Sequence, residues 1–196
     1  MILNSLEHIG NVDIYLLDQI LKSRYAEGQT ILDAGCGLGR NLKWFTTQNF
    51  DLYGVDLNEE ALDFVVQIYP SVKISKTKLE SLHFENEKFD HVICSAVLHF
   101  AENENHFLSM FSELIRVLKP GGSLFIRMTT DIGVADTISN NKNGVYDLKD
   151  GSSRFLIKRE LLSNLMVKYN LQLIEPFKTT VVEDLRSMAT IVLQKF

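Results

Sequence analysis

Thr30 to Leu42 read TILDAGCGLGRNL, and the fold turns on how that stretch is parsed. Thr30, Ile31 and Leu32 make a short apolar run closed by Asp33 and Ala34. An apolar run of this length, bounded by turn residues, predicts a buried strand of a parallel sheet. Gly35, Gly37 and Gly39 then fall at every second position. Arg40 to Gln48 carries Leu42, Trp44 and Phe45 between polar residues, a pattern that predicts a helix with one buried face. Strand, glycine turn and helix are the parts of a nucleotide-type site. Glycine lets a ligand approach the backbone closely, and a helix start aims unpaired N–H groups at the turn.

The glycine spacing narrows the ligand. Dinucleotide turns read G-x-G-x-x-G and seat a pyrophosphate. Here the spacing is G-x-G-x-G, with Asp33 two residues ahead of Gly35. A carboxylate at that strand end repels phosphate and attracts an ammonium group. The expected ligand is nucleoside-like, cationic and free of phosphate. S-adenosylmethionine, with its amino-acid end and sulfonium, meets those terms. Asp33, Gly35, Cys36, Gly37 and Gly39 match D-x-G-C-G-x-G position for position. The stretch thereby resembles motif I of the class I S-adenosylmethionine-dependent methyltransferases. The bland alternative is a tight β–α turn that needs glycine only for packing.

Phe50 to Asp56 reads as the second strand, with Asp56 at its end, 19 residues after Gly37. An acidic residue at such spacing takes ribose hydroxyls in Rossmann-type sites. The other reading of Asp56 is an N-cap for the helix that follows. The resemblance extends to Asp56 and implies that Leu57 lies beside the adenine. It also covers the run from Leu79 to Asp90. There the family often has Asp where this chain has Lys78, which cannot accept a hydrogen bond. Adenine recognition is therefore expected from backbone groups at Lys78 and Leu79. Phe89 to Ser95 reads as a central strand, so Ser95 and His99 fall at its carboxyl end, where ligands of open α/β sheets bind. His99 is the candidate base or substrate contact; an ordinary loop histidine is the alternative. Arg40 completes the expected cofactor-binding set of Asp33, Gly35, Cys36, Gly37, Asp56, Leu57, Lys78, Leu79 and Ser95. No metal site is assigned.

The remaining elements follow from periodicity. Helices are expected at Val12 to Tyr25 (N-cap Asn11), Glu59 to Ile68, Glu104 to Leu118 and Lys158 to Tyr169. Strands are expected at Val72 to Ser75, Ser123 to Met128, Leu171 to Phe177 and Met188 to Gln194. A polar connection runs from Lys178 to Arg186. RVLKPGGSLFI resembles the family's helix-to-strand connection. Residues 1–28 are read as an N-terminal helical lid, with Tyr15, Arg24 and Tyr25 as lid residues. Residues 129–153 lack periodicity and are read as a substrate cover. Arg127, Thr129, Asp131, Arg154 and Phe155 are possible pocket contacts.

Composition sets outer bounds. A chain of 196 residues with 45% hydrophobic content is expected to form one domain with a full core. A net charge of −5 disfavours a nucleic-acid partner. Two cysteines, Cys36 and Cys94, in apolar contexts point to a reduced, cytoplasmic protein. No apolar run is long enough to span a membrane, and the N-terminus has no signal-peptide pattern.

The expected fold is α/β: a Rossmann-like, doubly wound, mostly parallel seven-stranded sheet with an antiparallel last strand and helices on both faces. The expected function is in-line methyl transfer from S-adenosylmethionine to a small-molecule acceptor, leaving S-adenosylhomocysteine. A catalytically silent cofactor-binding module and a nicotinamide-dependent oxidoreductase are the rivals. The glycine spacing and Asp33 oppose the second of these. Protein or RNA methylation is a further rival. Ser95-Ala96-Val97-Leu98 stands where amide- and amine-methylating enzymes carry an Asn-Pro-Pro-Tyr-type tetrapeptide.

Overall fold

A computed structural model describes residue 7 and residues 9–196. In chain order the elements are α1 (Ile14–Leu21), β1 (Thr30–Ala34), β2 (Asp51–Asp56), α2 (Glu59–Ile68), β3 (Lys73–Lys76), β4 (Phe89–Ser95), α3 (Glu104–Val117) and β5 (Leu118–Thr130). There follow β6 (Ser139–Lys142), β7 (Val145–Asp147), β8 (Ser153–Phe155), α4 (Arg159–Tyr169), β9 (Leu171–Leu173), β10 (Lys178–Val182) and β11 (Arg186–Lys195).

The main sheet runs β10-β11-β5-β4-β1-β2-β3, with β9 added beside β11. Neighbours among β3, β2, β1, β4 and β5 are parallel, whereas β11 lies antiparallel to β5, β9 and β10. This is the expected Rossmann-like sheet with its reversed last strand, plus the short β9. Side-chain alternation sorts the core into two layers. Ile31, Ile93 and Phe125 pack with Leu16 and Ile20 of α1 and with Leu62 and Val65 of α2. Leu32, Cys94 and Ile126 pack with Phe107, Phe111 and Leu114 of α3 and with Leu162 and Leu165 of α4. Near-continuous apolar strands are what a sheet covered on both faces requires.

Several boundaries differ from the sequence reading. No α-helix follows the glycine turn: residues 40–44 form turns and Phe45–Thr47 a single 3-10 turn. The hydroxyls of Thr46 and Thr47 donate to the carbonyls of Lys43 and Trp44, at 2.7 Å each, and compete with helix bonding. Helix α1 is shorter than expected, and its N-cap is Asp13, not Asn11. The Asp13 carboxylate accepts from the Tyr15 amide at 3.0 Å. Ile14 and Leu21 are exposed, and Leu16 fills the core position instead.

At the far edge, the strand expected at Leu171 to Phe177 shrinks to β9. Its sheet-edge place passes to β10, inside the expected connection, where β-branched Thr179, Thr180, Val181 and Val182 suit a strand. Strand β5 begins at Leu118, with an irregularity opposite Phe89 and His91 that absorbs Pro120 and the glycines. Residues 129–153 are less irregular than expected, because β6, β7 and β8 form a small antiparallel sheet there. Of the proposed lid, residues 1–6 and 8 lie outside the described residues.

Candidate functional site

Strand order reverses between β1 and β4, and a cavity of about 490 Å³ opens at the carboxyl ends of these strands. That is where open α/β sheets bind ligands. Gly35 follows β1, Asp56 ends β2, Lys78 and Leu79 follow β3, and Ser95 ends β4; all line it, as does Leu57. Thr77, Glu80, Ala96, Val97, Phe100, Glu102, His106 and Met110 complete the wall. Arg116 of α3 holds the segment after β3 in place. Its guanidinium donates to the carbonyls of Leu82 at 2.8 Å and Phe84 at 2.7 Å, while Glu113 accepts from the Leu82 amide.

The glycine turn is fixed from within. The amides of Gly35 and Cys36 both donate to the Val55 carbonyl, at 2.8 and 3.0 Å. The Gly37 amide donates to Asp56 Oδ2 at 2.8 Å, and Asp56 Oδ1 accepts from the amides of Leu57 and Asn58. The N-cap of α2 is Asn58, not Asp56, since Asn58 accepts from the Ala61 amide. With these amides engaged, and no helix start behind the turn, the loop offers little to a diphosphate. At Gly35 (φ +84°) an added Cβ would meet Val97 Cγ2 at 2.3 Å, so only glycine fits.

Asp33 is 1% exposed, and both its carboxylate oxygens lack a hydrogen-bond partner. Burial pushes its pKa up to about 7, with Arg40 pulling down and Asp56 pushing up. The folded state thus keeps a proton that the unfolded chain, near 3.8, has released. Stability from Asp33 is present below pH 4 and lost as pH rises through 7. Asp33→Asn should therefore be more stabilising, relative to wild type, at pH 7.5 than at pH 5, by urea unfolding. Equal differences at the two values would contradict a protonated Asp33.

Asp33, Cys36 and Gly37 do not line this cavity. Burial pushes the Cys36 and Cys94 thiols up, as fits packing roles.

A second cavity, about 300 Å³, shares Ala96 with the first. It takes Asp13 from before α1, Arg40 from the glycine turn, His99, Arg127 and Thr129 of β5, and Arg186 and Met188 of β11. Asp150, Ser152, Arg154 and Val182 close it. Asp13 is the hub, and sequence reading missed it. Its Oδ2 accepts from Arg127 at 3.0 Å and from Ser95 Oγ at 3.5 Å, with Arg40 at 3.6 Å. Its amide donates to Asn41 Oδ1. The missed signal was an Asp one residue ahead of the periodic apolar pattern. Tyr15 reaches over this region: its hydroxyl bonds that of Thr180, and Arg127 sits 4.5 Å from its ring centroid. Arg24 instead pairs with Glu175, Tyr25 packs on Phe45 and His91, and Phe155 stacks on Phe107 in the core. Asp131 lines neither cavity.

His99 is 7% exposed, and its Nδ1 has no partner. Burial pulls its pKa down to about 4, and Arg154 and Arg186 add to the shift. It is a neutral imidazole at physiological pH.

Residues 32–126 match the family model described as a methyltransferase domain. The chain is 29% identical over 145 residues to the phthiotriol/phenolphthiotriol dimycocerosates methyltransferase of Mycobacterium leprae, covering 71% of this chain and 50% of that protein. A solved S-adenosylmethionine-dependent methyltransferase from Methanosarcina mazei superposes with a TM-score of 0.72 at 19% identity, over 90% of this chain and 97% of that one. The Burkholderia thailandensis 1,6-didemethyltoxoflavin-N1-methyltransferase, solved with its substrate and S-adenosylhomocysteine, gives 0.67 at 18% identity, over 90% and 75%. Residues 32–126 thus carry a methyltransferase domain, and the fold is that of the solved S-adenosylmethionine-dependent methyltransferases. It spans about half the length, or less, of the first curated relatives it matches. Among the described residues no helix is long and apolar enough to cross a membrane.

Proposed function

We propose that the chain transfers a methyl group from S-adenosylmethionine to a small-molecule acceptor, with cofactor in the first cavity and acceptor in the second. The observation that carries this is the junction at Ala96, where a cavity lined by Gly35, Asp56 and Ser95 adjoins one lined by His99. A silent binding module has no need of the second cavity. The residues fit the cofactor: Asp33 has two unpartnered carboxylate oxygens behind the glycine turn, and Gly35, Asp56 and Ser95 line the first cavity. When bound, S-adenosylmethionine supplies a methyl group on a sulfonium leaving group.

In this reading Asp56 accepts from the ribose hydroxyls, and Leu57 and Leu79 flank the adenine. Glu80, beside Lys78 at 3.6 Å, supplies the acceptor that Lys78 lacks. Asp33 and Arg40 hold the two charged ends of the methionine portion. Calorimetry should show S-adenosylhomocysteine binding, and a screen of small acceptors with labelled cofactor should show label transfer. No binding to the intact protein would overturn the reading.

Two further outcomes follow. An ammonium beside Asp33 favours its ionised form, so binding at pH 6 should release up to about one proton. Calorimetry in buffers of differing ionisation enthalpy reads that release, and Asp33→Asn should abolish it. Absence of release in the wild type would take Asp33 out of the site. His99, neutral, can accept a proton from the acceptor. His99→Ala should lower turnover roughly tenfold with cofactor affinity unchanged, since a sulfonium leaves readily and positioning does most of the work. Unaltered turnover would make His99 a bystander.

A further inference from the structure

The second cavity carries an unusual charge for this chain. Four arginines (Arg40, Arg127, Arg154 and Arg186) face two aspartates, Asp13 and Asp150, in a protein whose net charge is −5. The aspartates are already committed. Asp13 takes Arg127 and Arg40, and Asp150 takes Arg186 at 2.9 Å. Asp150 is held down to about 2, chiefly by the Ser152 hydroxyl and also by Arg186, so it stays ionised. Arg154 has no carboxylate partner among the described residues. It donates to the Ser153 carbonyl and lies 4.7 Å from the Phe100 ring centroid, at the border of the first cavity. If Arg40 is given to the carboxylate of the cofactor, positive charge still remains around Arg154 and Arg186.

Each guanidinium has five N–H donors, and one carboxylate contact leaves Arg186 with several unspent. Ala96, Val182 and Met188 are the apolar part of the wall, and Thr129, Ser152 and His99 complete it. His99, neutral and with an unpartnered Nδ1, keeps its own charge out of the cavity.

We propose that the second cavity takes a small acceptor with an apolar body and a carboxylate or comparable oxyanion, which Arg154 and Arg186 hold. This deepens the methyltransferase reading, by which the cavity is the acceptor site. Paired arginines grip planar oxyanions through parallel N–H bonds, which fixes orientation as well as affinity. A cavity of about 300 Å³ has room for a single-ring or short-chain acid.

Benzoate, phenyl phosphate and the neutral isostere benzamide are the probes, titrated by calorimetry or NMR with and without saturating S-adenosylhomocysteine. The anions should bind in both conditions, and benzamide at least about tenfold more weakly. The two anions distinguish a carboxylate from a phosphoryl preference. Arg154→Gln and Arg186→Gln should each weaken the anions about tenfold or more while S-adenosylhomocysteine affinity is kept, which also reports folding. Arg159→Gln, outside both cavities, should change nothing. Benzamide binding as tightly as benzoate, or anion binding insensitive to Arg154 and Arg186, would overturn the proposal. So would anions displaced by S-adenosylhomocysteine, which would place them in the cofactor's carboxylate subsite. Should S-adenosylhomocysteine itself not bind, the cofactor reading fails, and the anion titrations without it still judge the cavity.

Discussion

Gly35→Ala should destabilise the protein by about 2 to 5 kcal/mol in urea unfolding and remove cofactor binding with it. Two separate costs add. A Cβ at Gly35 meets Val97 Cγ2 at 2.3 Å and the Val97 Cβ and Cγ1 at 3.2 Å. Overpacking of that kind costs about 1 to 3 kcal/mol, because a β-branched side chain has one favoured χ1 and cannot turn aside. The backbone at φ +84° adds about 1 to 2 kcal/mol of strain for any L side chain. Gly37→Ala is the internal control. It too has positive φ, +50°, but nothing lies within 4 Å of an added Cβ, so it should cost only the backbone strain, about 1 to 2 kcal/mol. Gly35→Ala combined with Val97→Ala should recover the overpacking and keep the strain, in a double-mutant cycle. Equal costs at Gly35 and Gly37, or no coupling to Val97, would show that the turn is not sterically keyed to the strand-β4 loop.

That pairing also shows where sequence reasoning stops. The need for glycine at Gly35, Gly37 and Gly39 is legible from spacing, but the partner that enforces it at Gly35, Val97, lies 62 positions away and carries no local signal. The parallel core was legible because buried strands are apolar on both faces, as in Ile31-Leu32 and Val92-Ile93-Cys94. The helix expected after the turn does not form: Leu42, Trp44 and Phe45 satisfy a helical pattern over one turn, while Thr46 and Thr47 spend their hydroxyls on nearby carbonyls. At the C-terminal edge, β10 reads in sequence as a connection. Strand Lys178–Val182 is half exposed, and edge strands show polar residues whatever their pairing. Of the expected cofactor residues, Gly35, Asp56, Leu57, Lys78, Leu79 and Ser95 line one cavity, because each stands at a strand's carboxyl end. The second cavity was only partly legible. Arg127 and Arg154 stand out by position, whereas Asp150 and Arg186 come together only through the antiparallel edge and the small sheet, and Asp13 joins them from the start of α1.

Asp56→Ala should weaken S-adenosylhomocysteine binding roughly a hundredfold or more, the loss of two charge-assisted hydrogen bonds. The structure adds a second route to the same loss. Asp56 also holds the amides of Gly37, Leu57 and Asn58, so its removal loosens the turn and the start of α2. The two routes separate with a ligand that lacks one hydroxyl. Wild-type protein should prefer S-adenosylhomocysteine over its 2′-deoxy analogue by about tenfold, the worth of one such bond. If Asp56 contacts the ribose, Asp56→Ala should bind both ligands equally weakly, the preference gone. If it serves only the loop, affinity falls and the preference survives. Asp56→Asn keeps one acceptor oxygen and should fall between wild type and alanine both for binding and for urea stability, because its amide nitrogen cannot accept from a backbone N–H. A preference unchanged in both variants would move ribose recognition to another residue and leave Asp56 as the brace that ties the glycine turn to β2.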